Sequence, residues 1–191
     1  MALKRTKNLI FGWDETFPVG RAGFSWACSF RDGLARVECA GETGYIEKTG
    51  RFHQMKYDSV GDFSEGMASF VVNEYTRCGY MDTRFSVVIA PEFDDAAPFH
   101  NGLAIVRQGA KKGFINKRGG IVIPCQFDDA APFSEGLAAI RMDGLYGFID
   151  MMGVIVIQPR FNSARSFSDG LAAVEENGRW GFIDKTGKYA F

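Results

Sequence analysis

The heptapeptide FDDAAPF occupies Phe93–Phe99 and recurs unchanged as Phe127–Phe133, 34 residues further along the chain. Each copy is followed by a similar segment, HNGLAIV in the first case and SEGLAAI in the second. Matching segments at a fixed spacing are typical of repeat proteins. The heptapeptide therefore indicates that the chain is built from repeats.

Three further segments share the pattern of an aromatic residue followed six residues later by Phe. They are FSWACSF from Phe24, YDSVGDF from Tyr57 and FNSARSF from Phe161. Each is followed by a glycine, a short apolar segment such as LAIV, and a glycine–aromatic–aliphatic trio such as GFID. The sequence therefore predicts one domain, composed of a lead or cap segment and five repeats, with the boundaries 1–23, 24–56, 57–92, 93–126, 127–160 and 161–191.

Each repeat has the pattern of three short strands. The LAIV-type segment lies between glycines that disfavour a helix, and the trio is followed by Asp and Gly at the spacing of a tight turn. A third apolar strand follows, and we expect it to end at Pro91, Pro124 or Pro159, because proline cannot donate to a sheet. The apolar spacing of the heptapeptide predicts a short helical or 3₁₀ turn at the start of each repeat.

These elements predict an all-β fold, an array of five three-stranded β-meander repeats of roughly 34 residues. The first repeat has the polar segment RFHQMK where later repeats have an apolar third strand, so the repeats at the two ends differ. Unequal ends favour an open, solenoid-like superhelix. The alternative is a five-bladed, propeller-like ring, which would give all five repeats equivalent surroundings.

The repeated motifs resemble those of the bacterial WG-repeat family, also called KWG repeats. The resemblance rests on segments such as FSEGLAAI and WGFID and covers residues 24–191. The tryptophan that gives the family its name is present only at Trp180; Thr43, Cys78, Lys112 and Tyr146 take its place in the other repeats. The resemblance implies an all-β interaction module of bacterial proteins and implies no catalytic residues.

Charge and composition restrict the functional classes. The formal net charge of −1 argues against nucleic acid or an anionic membrane as partner. The N-terminus has no apolar segment of the length that a signal peptide needs, so we expect a cytoplasmic protein. Four cysteines and two histidines show no zinc-binding spacing, and no cofactor is expected. The acidic pairs Asp94–Asp95 and Asp128–Asp129 are interpreted as caps of turns.

The hairpin that joins the first two strands varies most between repeats, while the framework around it stays constant. The second repeat has two extra residues there, and Tyr and Arg are common at interaction hot spots. The sequence thus predicts that another protein binds at this hairpin edge. The candidate binding residues are Asn73, Glu74, Tyr75, Arg77, Arg107, Arg141 and Tyr146.

The predicted function is that of a non-enzymatic interaction module, acting as an adaptor, an inhibitor or an immunity-type protein. One alternative is a repeat protein that binds carbohydrate or another small ligand, which exposed aromatic residues recurring at one position would favour. A second alternative is an enzyme with a site at one end of the array.

Overall fold

The computed structural model describes residues 23–39, 41–72 and 77–191, and in these ranges the chain forms only strands, turns and irregular segments. The all-β prediction is confirmed. The strands are β1 (Trp26–Ala27), β2 (Leu34–Cys39), β3 (Glu42–Glu47), β4 (Phe52–Gln54), β5 (Ser59–Val60), β6 (Met67–Val72), β7 (Arg77–Asp82), β8 (Val87–Phe93), β9 (Asp95–Ala96), β10 (Leu103–Gln108), β11 (Lys111–Asn116), β12 (Ile121–Phe127), β13 (Asp129–Ala130), β14 (Leu137–Met142), β15 (Leu145–Asp150), β16 (Ile155–Phe161), β17 (Ser163–Ala164), β18 (Leu171–Glu176) and β19 (Arg179–Asp184).

The strands form five small antiparallel sheets, each a meander of consecutive strands. The first four sheets are β1–β4, β5–β8, β9–β12 and β13–β16, and the fifth contains β17–β19. We call β4, β8, β12 and β16 the outer strands, because each lies at one edge of its sheet. The lead segment lies outside the described residues, apart from Gly23.

The predicted helical turn at the start of each repeat is wrong. In the structure this corner is extended, and its two central residues form a short strand, so that Ala96 pairs with Val106 and Ala130 with Ile140. The repeated heptapeptide contains Pro98, and a proline disfavours helical backbone in the residue before it. The extended corner also gains hydrogen bonds to the next strand, which a single helical turn would not form.

The prediction that the outer strands end at proline is also wrong. β8 continues through Pro91 to Phe93, and β12 and β16 likewise run through Pro124 and Pro159. An edge strand tolerates proline because one side of the strand has no ladder partner. The pairing of β7 with β8 shifts register around Gly79, next to Pro91.

The turn before β16 has the predicted chemistry, whereas in the turn before β8 Phe85, with a φ of +63°, takes the place of the glycine. The side-chain oxygen Oδ1 of Asp150 accepts hydrogen bonds from the backbone N–H groups of Met152 and Val154, both at 2.9 Å. Gly153 closes the turn with a φ of +83°, a conformation that favours glycine. The sequence prediction of an Asp-opened, Gly-closed turn is confirmed.

The core between sheets is built from pairs of aromatic rings. Phe99 and Phe133 are 1% and 2% exposed, so their predicted burial is confirmed. We call the last Phe of each corner the corner phenylalanine, and the central residue of each trio the facing aromatic residue. From the second sheet onward, each corner phenylalanine lies against the facing aromatic residue of the preceding sheet. The pairs and the distances between their ring centroids are Tyr45–Phe63 at 4.8 Å, Tyr80–Phe99 at 4.8 Å, Phe114–Phe133 at 4.9 Å and Phe148–Phe167 at 4.9 Å.

Polar contacts accompany each aromatic pair. Between the second and third sheets, Ser64 Oγ donates to the carbonyl oxygen of Phe99 at 2.7 Å. Glu65 Oε2 accepts a hydrogen bond from the N–H of Gly102 at 3.0 Å and pairs with Lys117 Nζ at 3.1 Å. The same three contacts recur between the fourth and fifth sheets, as Ser134 Oγ to the Phe167 carbonyl at 2.7 Å, Gly170 N–H to Glu135 Oε2 at 3.1 Å, and Lys185 to Glu135 at 3.1 Å.

The sheets at the two ends lack this packing on one side. The corner phenylalanine of the first sheet, Phe30, is 47% exposed, and the facing aromatic residue of the fifth sheet, Phe182, is 43% exposed. In a closed ring these two residues would pack on each other and be buried like their counterparts. The described sheets therefore form an open array.

Candidate functional site

The hairpin edge that the sequence predicts as a binding surface is only partly described. Asn73, Glu74 and Tyr75 lie outside the described residues. Arg77 begins β7, where its Nη1 forms an ion pair with Asp94 Oδ1 at 2.8 Å and donates to the carbonyl oxygen of Glu92 at 3.0 Å. Arg77 therefore contacts the following corner instead of standing free in solvent.

The corner acids of the next repeat are bound in the same way. Lys111 Nζ forms an ion pair with Asp128, and Lys112 Nζ forms one with Asp129 Oδ1 at 2.7 Å. The hydrogen bond from Lys111 lowers the pKa of Asp128. Partial burial raises the pKa of Asp129, but the hydrogen bond and charge of Lys112 outweigh it, so the net pKa is below the usual value. Both carboxylates are anions at neutral pH, which suits an ion pair and not a proton donor.

In the fourth sheet both charges of this ion pair are absent. Arg77 and Lys111 occupy equivalent positions and pair with Asp94 and Asp128, also equivalent. In the fourth sheet the cation position holds Leu145, and the acid position after it holds Asn162. Loss of both charges together avoids leaving one charge without its partner.

The corner acids also cap the hairpin of their own repeat. Asp94 Oδ2 accepts a hydrogen bond from the N–H of Gly109 at 2.6 Å. Asn162 Oδ1 accepts one from the N–H of Asn177 at 3.1 Å. The capping interpretation of this acid position is therefore confirmed, and the ion pair is an additional role that the sequence did not reveal.

The remaining candidate residues also make contacts within the protein. Arg107 donates to the carbonyl oxygens of Asp94 at 2.9 Å and Gly109 at 3.0 Å. The guanidinium of Arg141 lies 5.9 Å from the ring centre of Tyr146, and Tyr146 Oη donates to Asp129 Oδ2 at 3.4 Å. The structure thus joins the candidate hairpin residues and the corner acids into one paired set, which we call the polar rim.

A second surface, which the sequence reasoning missed, lies on the outer strands of the second, third and fourth sheets. Exposed valine and isoleucine residues recur there: Val88, Val122 and Val156 hold one equivalent position, Val87 and Ile121 hold another, and Val154 lies just before β16. We call these six residues the aliphatic stripe. The signal in the sequence was an outer strand with apolar residues on both faces, in place of the apolar–polar alternation of a half-buried strand.

The turn before an outer strand packs on the outer strand of the preceding sheet. A Cβ atom on Gly119, in the turn before β12, would lie 3.3 Å from Ile89 Cγ2 of β8. A Cβ atom on Gly153, in the turn before β16, would lie 3.2 Å from Ile123 Cγ2 of β12. Ile89 and Ile123 are buried, so these contacts lie on the face of each outer strand opposite to Val88 and Val122. The aliphatic stripe therefore recurs once in each of the three sheets, with these two valines on the face turned away from the contacts.

The fifth sheet has a different exposed edge. Trp180 and Tyr189 line an open cleft beside β19, together with Glu176, Asn177 and Arg179. The position of Trp180 is occupied by the buried Cys78 in the second sheet and by Lys112 in the third. Exposed aromatic residues thus do not recur at this position, although recurrence is what would favour a repeated carbohydrate site.

The described ranges lack the features of a metal site and of a membrane-spanning helix. Among these residues, no cluster of three or more His, Cys, Asp or Glu side chains has the arrangement of a metal site. The same ranges contain no helix of the length and apolarity needed to cross a membrane.

Solved structures with a similar fold have propeller-like architectures and varied functions. One is a eukaryotic initiation factor, with a TM-score of 0.59, 12% identity, and coverage of 92% of this chain and 56% of the other. Another is Hsv2 from Kluyveromyces lactis, with a TM-score of 0.52, 11% identity, and coverage of 84% and 59%. A third is the extracellular domain of a putative hybrid two-component system from B. thetaiotaomicron, with a TM-score of 0.50, 12% identity, and coverage of 88% and 28%. The chain spans less than two thirds of each of these structures, and at such identities the likeness concerns the fold alone.

Comparison by sequence gives the family. No curated protein matches the chain. The family model of the WG-containing repeat matches four tandem segments, at residues 54–75, 79–111, 113–146 and 146–180. The matched segments cover more than half of the chain, and they include the four corners from 57–63 to 161–167. The chain belongs to the WG-repeat family.

Proposed function

We propose that this protein is a non-enzymatic protein–protein interaction module, and that its partner is a protein with an apolar surface that docks on the aliphatic stripe. The observation that carries the proposal is the recurrence of exposed valine and isoleucine at equivalent positions in three consecutive sheets. Exposed apolar patches are typical of interaction sites. Repeat arrays of this kind commonly offer extended binding surfaces.

The polar rim supports a structural role better than a catalytic one. Its acids and bases are paired with each other, as in Arg77–Asp94, Lys111–Asp128 and Lys112–Asp129. A partner that bound these charges would first have to displace their present contacts, whereas the aliphatic stripe has no such contacts to lose. The proposal is therefore an adaptor, inhibitor or immunity-type protein of the cytoplasm whose binding free energy comes mainly from apolar burial.

A matched pair of triple variants tests this function. One variant replaces Val88, Val122 and Val156 with Lys. The control variant replaces Ala90, Gln126 and Gln158 with Lys, and these residues are exposed in the same three outer strands. Both variants add three positive charges to the same strands. Burial of a valine side chain contributes about 1.5 kcal/mol or more, and each 1.4 kcal/mol corresponds to about tenfold in affinity.

The partner is first purified with the wild-type protein from the native host, identified by mass spectrometry, and then produced pure for calorimetry. We expect the valine triple variant to bind at least about a hundredfold more weakly, and the control to bind within a fewfold of wild type. Unchanged affinity in the valine variant, with full folding by circular dichroism, would contradict the proposal.

A further inference from the structure

The two ends of the array expose the two complementary halves of one interface. Between neighbouring sheets, a corner phenylalanine of one sheet packs on a facing aromatic residue of the preceding sheet. We call the surface around the corner phenylalanine the corner half of the interface, and the surface around the facing aromatic residue the facing half. Among the described residues, the first sheet leaves Phe30 of the corner half exposed, and the fifth leaves Phe182 of the facing half exposed.

The facing half in the fifth sheet consists of Phe182, Ser168 and Asp169. Phe182 is half-exposed although the ring centroid of Phe191 lies 5.6 Å from its own, whereas its counterpart Phe148 is fully buried and packs against Phe167. Ser168 and Asp169 are exposed, and they occupy the positions at which Ser134 and Glu135 contact the next sheet. Each polar group of this half therefore has a counterpart that forms an observed contact elsewhere in the chain.

Those observed contacts define what the fifth sheet would bind. The hydroxyl of Ser134 donates to the carbonyl oxygen of Phe167, and the carboxylate of Glu135 accepts from the N–H of Gly170 and pairs with Lys185. By analogy, Phe182 would pack against a Phe side chain, and Ser168 would donate to the carbonyl oxygen of that Phe. Asp169 would accept a hydrogen bond from the backbone N–H three residues later and pair with a cation.

The corner half in the first sheet carries these same groups. Phe30 is half-exposed, and Gly33 follows three residues later. Lys48 is exposed in the turn before β4, at the position that Lys117 and Lys185 hold in their sheets. Lys48 and Asp169 have opposite charges, so both the apolar and the charged parts of the two halves match.

We propose that the first sheet of one copy of this protein docks on the fifth sheet of a second copy, so that the array continues from molecule to molecule. Phe30 of the second copy packs on Phe182, and the carbonyl oxygen of Phe30 accepts a hydrogen bond from the Ser168 hydroxyl. Asp169 accepts a hydrogen bond from the N–H of Gly33 and forms an ion pair with Lys48. The interface reproduces the one already built between sheets within the chain, which is why the occupant is a second copy and not an unrelated protein. It is independent of the aliphatic stripe.

This association joins the first sheet of one copy to the fifth sheet of another. A dimer therefore still has one first sheet and one fifth sheet free to bind further copies. Interfaces of this type form rings if the rotation closes and open chains of copies if it does not. We therefore expect sedimentation velocity to show an average mass that rises steadily with protein concentration, without a stop at the dimer.

Single substitutions at each end test the proposal. Both Phe30→Ala and Phe182→Ala change a side chain that is half-exposed in the single chain, so both variants are expected to fold. Each is expected to weaken self-association by at least about tenfold, in line with the loss of an aromatic pair. Lys48→Glu changes an exposed residue without removing apolar surface, and it is expected to weaken association as well.

Mixing the two phenylalanine variants distinguishes this interface from any other mode of association. The Phe30→Ala protein keeps an intact fifth sheet, and the Phe182→Ala protein keeps an intact first sheet, so the mixture should form heterodimers and nothing larger. A wild-type protein that is monomeric at every concentration would overturn the proposal, and so would oligomers that all three variants leave unchanged.

Discussion

Replacing Phe133 with Ala is expected to lower the free energy of unfolding by about 3–5 kcal/mol, the usual cost of removing a fully buried phenylalanine. The ring of Phe133 lies 4.9 Å from that of Phe114 in the preceding sheet. Phe167→Ala is expected to cost a similar amount. Reasoning from the sequence predicts a smaller loss there, because the fifth repeat has one neighbour, but the structure buries Phe167 against Phe148 in an equivalent interface. Urea titrations of the two variants measure both losses.

Phe30→Ala is the matched control, since it removes the same side chain from the equivalent corner of the first sheet. Phe30 lies on the exposed side of that sheet, so at low protein concentration the loss should be no more than about 1 kcal/mol. A loss at Phe30 as large as that at Phe133 would show that the first corner is buried, and would favour the closed ring over the open array.

The second large effect is expected at Gly147. A Cβ atom there would lie 2.5 Å from the carbonyl oxygen of Ile157 and 2.7 Å from the nitrogen of Pro159, both in the backbone of the outer strand. A backbone neighbour cannot rotate away as a side chain can, so Gly147→Ala must displace β16. We expect a loss of about 1–3 kcal/mol or more in the free energy of unfolding, measured by urea titration.

Gly181 gives the matched control, because it holds the same position in the fifth sheet. The atoms nearest to a Cβ on Gly181 belong to the half-exposed side chain of Tyr189, at 2.8 and 3.1 Å. That ring can move into solvent, so Gly181→Ala should cost much less than Gly147→Ala. If both variants lost the same free energy of unfolding, the close approach of the outer strand would not be the reason for glycine at this position of the trio.

Sequence reasoning predicted those parts of the fold that depend on local chemistry. The Asp–Gly turns, exemplified by Asp150 and Gly153, form through hydrogen bonds between residues two to four positions apart. The corner phenylalanines were identified because the same spacing recurs five times. In each case the determining residues lie within one short segment, so the pattern carries the information.

The incorrect predictions concern elements whose conformation is set by another strand. The corner pairs with a strand about ten residues later, as Ala96 does with Val106, and this pairing overrides a helix-like apolar spacing. Pro91 stays within β8 because the strand lies at a sheet edge, which the sequence of the strand alone does not reveal.

The candidate site was also predicted only in its local features. The sequence identified Arg77 and Arg107 as variable cations of the hairpin, but their shared partner Asp94 lies in the corner between them and became apparent only from the packing. The aliphatic stripe was not predicted, because the sequence identifies the third strand of each repeat only as apolar. Exposure of Val88 depends on β8 being an outer strand, and therefore on the arrangement of the whole sheet.

The central claim is that the corner phenylalanine of each repeat is held by the facing aromatic residue of the preceding sheet. A double-mutant cycle on Phe148→Leu and Phe167→Leu tests it most directly, because leucine keeps both sites apolar and the protein folded. We predict a coupling energy of about 0.5 kcal/mol or more for this pair, as for residues in contact, while the distant pair Phe99 and Phe167 should be additive within about 0.3–0.5 kcal/mol. Additivity at Phe148 and Phe167 would contradict the account.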